Sequence, residues 1–326
     1  MKPNTFFLFI LCTILSFFPK LIHAQDFTNP AEYNDYIVDI QGKVLQMNVN
    51  YVMESVHNDD FNQVDRSRLR LIGMIENALG KVNAMPAFEE NSVFRDEAAA
   101  VFSIYLEAFN IEFKEANLLK EKRQESYEAM EMFYSAQDKA EKKLEVASDK
   151  LMTAQKQFAE DHNMNILMAK GHSSTQNMIQ TINKVNGYTR VVFLAYFKVS
   201  KDDAAVLDAM EEKNPGKMES YRKKMLISVD EGLIKLNALG AFEEDDEFRQ
   251  SAIALLEFHK KMGNESYPEL VKFISKKEED LTQQDINIYN GVIEILNSQP
   301  PLLLTKYNQL NMDFYKKHIP GGGSRT

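Results

Sequence analysis

Apolar residues recur at steps of three and four along most of the chain, which is the spacing of one helix face. A short example comprises Leu69, Ile72, Ile75, Leu79 and Val82. Sustained alternation of apolar and polar residues, which a half-buried strand requires, does not occur in the sequence. Glycine and proline are few and fall between the periodic segments. The pattern therefore predicts an all-α fold.

Four helices are predicted in the first half of the chain, at about residues 33–57, 64–82, 93–109 and 124–160. The fourth has a 3.5-residue apolar period, typical of a coiled-coil seam. The seam comprises Met130, Phe133, Gln137, Ala140, Leu144, Ala147, Leu151, Ala154 and Phe158. Its one polar residue, Gln137, would fix the register. An ordinary bundle helix is the alternative, and the sequence leaves open whether the seam pairs within or between chains.

Part of the first half is repeated in the second. A shift of 154 positions places residues 83–98 on residues 237–252, and nine of these sixteen pairs are identical. This identity predicts a tandem duplication of an up-and-down four-helix bundle, partly coiled-coil-like. We expect two bundles in series with close contact, and one continuous elongated bundle is the alternative.

The predicted organisation has four parts. Residues 1–24 form a signal peptide, residues 25–162 the first helical repeat, residues 163–318 the second, and residues 319–326 a flexible tail. Within the second repeat, the match of 56–60 to 199–203 needs a shift of only 143. The change of shift predicts about 11 added residues within Ala204–Lys217, between the first two helices of that repeat.

Pro300-Pro301 lies inside the last predicted helix, about residues 284–317, and is expected to kink or break it.

The apolar run that begins at Phe6 covers about 13 residues, short of the roughly 20 that span a bilayer. With Lys2 before it and Ala24 after it, this run has the layout of a cleaved secretory signal; a retained membrane anchor is the alternative.

Composition after this cleavage narrows the classes of function. Loss of Lys2 and Lys20 changes the formal net charge from −10 to −12, which argues against nucleic acid as a partner. Cys12 is the only cysteine and would be removed. The mature chain would then have no disulfide, no thiolate nucleophile and no cysteine-ligated zinc. We also expect no membrane span in the mature chain.

Glu54 and His57 form the one metal-like motif, a Glu-x-x-His pair one helical turn apart. Di-iron bundles use two such motifs, and Phe197 and Ser200 stand at the matching positions of the second copy. We therefore interpret the pair as a weak metal candidate and expect no cofactor. His162, at the junction of the repeats, is expected to be an exposed polar residue.

The repeated loop offers a second candidate site. Phe88 and Phe242 precede the third helix of each copy and are either exposed partner-binding rings or staples that cover the end of the core. We favour the staple. The acid pairs Glu89-Glu90 and Glu243-Glu244 are interpreted as favourable charges near a helix N-terminus, with paired-carboxylate catalysis or calcium binding as alternatives.

Three segments together resemble an uncharacterised family of bacterial secreted or surface proteins: 36–38, 56–60 and 136–141, with the repeated loop. The resemblance implies export and a duplicated helical body, and it implies no catalytic residue. The sequence thus favours a non-enzymatic, exported binding or structural protein of the periplasm or cell surface. Its partner would be an unknown protein or envelope component. The alternative is a metal- or haem-binding bundle with a redox or storage role, and a hydrolase is a third reading.

Overall fold

The computed structural model describes residues 27–57, 60–165 and 170–319, with side chains for 27–55, 60–165 and 177–319. Regular structure in these ranges is helical, apart from two isolated β-bridges. The all-α prediction is therefore confirmed. The signal peptide expected at residues 1–24 and nearly all of the tail lie outside the described residues.

The helices follow one another in two groups. The first group is α1 (Pro30–His57), α2 (Phe61–Asn83), α3 (Val93–Asn110), α4 (Glu112–Lys120) and α5 (Tyr127–Asp161). The second group is α6 (Lys170–Glu211), α7 (Pro215–Leu239), α8 (Glu247–Lys261), α9 (Tyr267–Ser275) and α10 (Gln283–His318). A π-helix at Met262–Ser266 joins α8 to α9, and a 3₁₀ turn at Glu278–Asp280 precedes α10.

Helix starts are set by side chains that cap free backbone N–H groups. The Asp60 carboxylate accepts from two N–H groups at the start of α2, and the Asn214 side chain accepts from one at the start of α7. The Ser126 and Thr282 hydroxyls do the same for α5 and α10. Corresponding points of the two halves therefore begin helices in the same way.

In each half the helix after the repeated loop is followed, across an interruption, by a second short helix. The helix predicted at about 93–109 corresponds to α3, whereas α4 was not predicted. Ile111 separates α3 from α4, and the π-helix separates α8 from α9. At each interruption an arginine from the preceding helix binds a backbone carbonyl oxygen. Arg68 Nη1 lies 2.9 Å from the Phe109 oxygen, and Arg222 Nη1 lies 2.7 Å from the Gly263 oxygen. These bonds satisfy carbonyls where the helix geometry changes.

The predicted insertion within Ala204–Lys217 is wrong. Three positions separate α6 from α7, and three separate α1 from α2. The match of 56–60 to 199–203 had aligned a helix end with the middle of α6. The cap residues Asp60 and Asn214 are the true counterparts.

Pro300-Pro301 was expected to kink or break the last helix, and the break is wrong because α10 runs through both prolines. The kink stays a prediction. A proline in a helix leaves a carbonyl of the previous turn without its N–H donor. Here Pro301 is exposed and Pro300 half-buried, so water can reach that turn.

The buried apolar residues form two clusters, one from α1–α5 and one from α6–α10. Val52 packs against both. The seam residues Ala140, Ala147 and Leu151 are buried in the first cluster, so they pack within the chain. Two cores in contact support the two-bundle interpretation, while the duplication and the domain limits stay predictions.

The loop before α3 and its counterpart before α8 have the same unusual backbone. Glu89 and Glu90 have φ of 47° and 68°, and Glu243 and Glu244 have φ of 46° and 70°. In the first loop, Phe88 and Asn91 exchange two backbone hydrogen bonds of 3.0 and 2.8 Å. Both pairs lie before the first turn of their helices, so the dipole interpretation does not describe them.

Positive φ is costly for glutamate and free for glycine. We therefore expect Glu90→Gly to raise the free energy of unfolding by about 0.5–1 kcal/mol, measured by urea titration. Glu76→Gly, at an exposed site inside α2, should lower it by about 1 kcal/mol. Equal losses in both variants would show that the turn is not strained.

Candidate functional site

The metal candidate is only partly visible. Glu54 lies near the end of α1, and the side chain of His57 lies outside the described residues. In the described part of the chain, no three His, Cys, Asp or Glu side chains are grouped to hold a metal ion. The Glu54–His57 pair therefore stays untested as a metal site.

Phe88 lies in an aromatic box at one end of the first half. Its side chain is 2 % exposed, and its ring centroid lies 5.0 Å from that of His162 and 5.7 Å from that of Phe158. Tyr33 closes the box, and its hydroxyl donates to the Pro86 carbonyl oxygen at 3.0 Å. The predicted burial of Phe88 is confirmed, whereas the expectation of an exposed His162 is wrong because the ring packs inside this box.

Phe242 has the same surroundings in the second half. Its centroid lies 4.9 Å from that of His318 and 5.2 Å from that of Phe314. The Tyr188 hydroxyl donates to the Gly240 carbonyl oxygen at 2.9 Å. Phe242 is partly buried, so it covers the end of the core less completely than Phe88.

Charges distinguish the second box from the first. His318 Nε2 lies 3.0 Å and Lys317 Nζ lies 2.8 Å from Asp245 Oδ2. Burial alone would raise the pKa of Asp245, but the bonds from Lys317 and His318 outweigh it and hold that pKa below its usual value. In the first box, Asn91 stands at the matching position.

The lowered pKa makes Asp245 a stabilising group above its unfolded pKa of about 4. We expect Asp245→Asn to lose about 1.5 kcal/mol at pH 7. As pH falls from 5 to 2, the wild type should lose this contribution, so the two stability curves should converge. Urea titrations across this range measure it, with the exposed Asp280→Asn as control. Parallel curves would contradict the prediction.

A cavity, named the junction cavity below, lies where the two halves meet. Its volume is about 280 Å³, and residues of α1, α4, α5, α6, α8 and α10 line it. Aromatic rings form much of the wall, namely Tyr51, Phe113, Phe133, Phe193, Phe248 and Tyr307. The site is thus assembled from helices that are distant in sequence.

Arg190 of α6 joins the halves at this cavity. Its guanidinium binds Glu141 at 2.7 and 3.1 Å, binds Asp138, and donates to the Gln137 side-chain oxygen at 3.2 Å. It also lies 5.5 Å from the centre of the Tyr134 ring. Burial raises the pKa of Glu141 and outweighs the opposing effect of Arg190. The charge of Arg190 is therefore compensated by the carboxylates of α5.

Tyrosines form the other polar part of the wall. Burial raises the pKa of Tyr134 to about 12 and raises that of Tyr307 further, so both hydroxyls stay neutral. The Tyr315 hydroxyl lies 2.8 Å from Thr189 Oγ1. Among the described residues, the Tyr307 hydroxyl and Asn311 Oδ1 are buried without a hydrogen-bond partner.

A second buried polar cluster lies in the second half, away from the junction cavity. The Tyr267 hydroxyl donates to Asp203 Oδ1 at 2.5 Å, and His259 Nδ1 lies 3.4 Å from the same oxygen. Tyr267 and His259 are both buried. Because its groups face one another, we interpret this cluster as structural.

Comparisons with protein-family models, curated proteins and solved structures give no match to this chain. The resemblance to a secreted bacterial family therefore stays a prediction. In the part of the chain that the structure describes, no helix combines the length and apolar composition needed to cross a bilayer.

Proposed function

We propose that this protein is a non-enzymatic, exported binding protein of the periplasm or cell surface, and that it holds a small molecule in the junction cavity. The observation that carries the proposal is the cavity itself. It is concave, lies between two bundles and is lined by aromatic rings together with polar and charged side chains. Sites for small molecules in proteins share these properties.

The size of the cavity suits a small ligand. Ligand pockets commonly have volumes of about 300–1,000 Å³, and this cavity of about 280 Å³ lies at the lower limit. A purely structural role would need no such space, because well-packed interiors have few voids larger than a water molecule. The cavity therefore favours binding over a scaffold role.

Export is the second part of the proposal, and it rests on the N-terminal sequence. The run from Phe6 to Phe18 with Ala24 predicts cleavage before Gln25. Mass spectrometry of the protein secreted by its host gives the mature N-terminus. Detection of residues 1–24 on that protein would contradict this part.

A variant that fills the cavity tests the binding part. Ser55 lines the cavity, and its hydroxyl donates to the carbonyl oxygen of Val52 in its own helix at 2.8 Å. Ser55→Leu should therefore occupy the space without breaking the Arg190 network. Ser103→Leu is a matched control, because Ser103 makes the same kind of bond to Ala99 on an exposed face.

The measurement is a thermal-shift screen of small molecules, followed by calorimetry of the hits. We expect one-to-one ligands of the wild type that Ser103→Leu retains and Ser55→Leu loses by at least about tenfold in affinity. Ligands that bind both variants equally, or a screen without any hit, would contradict the proposal.

A further inference from the structure

We infer that the junction cavity selects an uncharged ring compound that carries a hydroxyl group, the chemistry of a phenol. This inference rests on the proposed binding function and adds the class of ligand. Three features of the wall lead to it: its aromatic faces, the compensated charge of Arg190 and two buried polar atoms on α10.

The aromatic faces favour a ring. Phe193 and Phe248 lie in the wall together with Phe113 and Phe133, and aromatic rings attract one another through offset or edge-to-face contacts. A volume of about 280 Å³ accepts a single ring with a short substituent. A long chain or a fused polycycle would not fit without movement of the helices.

The compensated charge of Arg190 disfavours a charged ligand at this part of the wall. Arg190 is held by Glu141 and Asp138, and a carboxylate or an ammonium group placed there would lose its hydration and compete with these existing partners. Lys120 Nζ donates to the Ser55 carbonyl oxygen at 3.0 Å, and Arg123 donates to the Lys120 carbonyl oxygen at 2.6 Å. These carbonyls fix the positions of the two cations without cancelling their charge, so benzoate is the ligand that tests this feature.

The two buried polar atoms on α10 would be satisfied by a ligand group that can both donate and accept a hydrogen bond. Tyr307 and Asn311 lie one turn apart on α10, and both line the cavity. The Asn311 oxygen can only accept a hydrogen bond, whereas the Tyr307 hydroxyl can donate one. A ligand hydroxyl placed between them would donate to Asn311 and accept from Tyr307. It would remove the cost of two buried groups without partners.

The first half has a different pair of residues at the positions of Tyr307 and Asn311. With the shift of 156 that places Phe158 on Phe314 and His162 on His318, Gln155 stands where α10 has Asn311. The Gln155 Nε2 donates to Asn34 Oδ1 at 2.9 Å. Leu151 stands where α10 has Tyr307. The first half thus satisfies its polar residue internally and has no second polar residue beside it.

Phenol and toluene test the inference, because they have nearly the same shape and differ in the hydroxyl. We expect the wild type to bind phenol at least about tenfold more tightly than toluene, since two hydrogen bonds are gained. Benzoate should bind more weakly than either. Calorimetry or protein-observed NMR measures all three affinities on the full chain.

Two variants test whether Tyr307 and Asn311 cause the preference for phenol over toluene. In Tyr307→Phe with Asn311→Leu, the preference for phenol should fall to about twofold or less, while toluene binding stays. Gln155→Leu is the matched control in the first half and should keep the preference although it weakens folding. A Tm for each variant shows that it is folded under the conditions of the titration.

The possible outcomes distinguish a failure of this inference from a failure of the proposed function. Ring compounds that bind without preference for phenol, or a preference that survives in the double variant, would overturn the inference alone. So would the absence of ring binding when another ligand depends on Ser55. Only the absence of any ligand that is sensitive to Ser55→Leu would overturn the proposed function as well.

Discussion

Arg190→Met is expected to lower the free energy of unfolding by about 3–5 kcal/mol, as measured by urea titration at pH 7. The variant keeps a long side chain but leaves the buried Glu141 carboxylate without its counter-charge. Because burial already raises the pKa of Glu141, protonation should relieve part of this cost. The loss should therefore be smaller at pH 5 than at pH 7.

A double variant separates the charge from the packing. Arg190→Met with Glu141→Leu removes both charges and should recover most of the stability, because a buried ion pair and a well-packed apolar pair often differ little. Asp35 stands at the position of Arg190 in the first half and is exposed, so Asp35→Ala should be nearly neutral. A double variant as unstable as Arg190→Met would contradict this explanation.

Phe88→Ala is expected to cost about 3–5 kcal/mol, because it removes a fully buried ring and leaves a cavity. The ring contacts Tyr33, Phe158 and His162, and none of these can move into the space without leaving its own contacts. Phe242→Ala should cost less, since Phe242 is only partly buried. Thermal unfolding of both variants measures the difference.

The control for this prediction is an exposed apolar residue. Leu118 is 58 % exposed, so Leu118→Ala should change Tm by less than about 1 °C. If Phe88→Ala behaves like this control, the staple interpretation fails for the repeated loop. The loop would then return as a candidate surface for a protein partner.

Most of the helices could be predicted from local signals. The period of the apolar residues predicted the class. Asn214 and Pro215 begin α7 through a cap and a first-turn proline, although the sequence interpretation had placed both in an added segment. The interruptions at Ile111 and Met262–Ser266 could not be predicted in this way. They depend on arginines more than 40 residues away, Arg68 and Arg222, and local periodicity contains no information about such bonds.

The errors at Ala204–Lys217 and at Pro300 have a common cause. A short match between 56–60 and 199–203 was taken as a structural correspondence, although shared polar letters do not identify a cap. For Pro300, the rule that proline ends a helix assumes that the freed carbonyls cannot find another partner. The freed carbonyls belong to Leu296 and Asn297, one half-buried and one exposed, so solvent can supply partners.

The candidate cavity could not be predicted, because its walls come from residues as far apart as Tyr51 and Tyr315. One signal was nevertheless present in the sequence. If Tyr33 is placed on Tyr188 and Phe158 on Phe314, the two halves differ at corresponding positions: Arg190 stands where the first half has the exposed Asp35, and Tyr307 stands where it has Leu151. A polar residue that only one copy has at a core position indicates a contact that only this copy makes.

The unbroken course of α6 has a consequence for how the two halves share stability. At about 1.5 Å per residue, its 42 residues make a rod of roughly 63 Å. Ile179 and Ile182, near its beginning, lie beside Val44 and Leu45 of α1, whereas its later turns belong to the second core. Unfolding of either core must therefore fray a helix that the other core needs. Denaturation should be cooperative across the junction, and a molecule bound there would hold both bundles together at once.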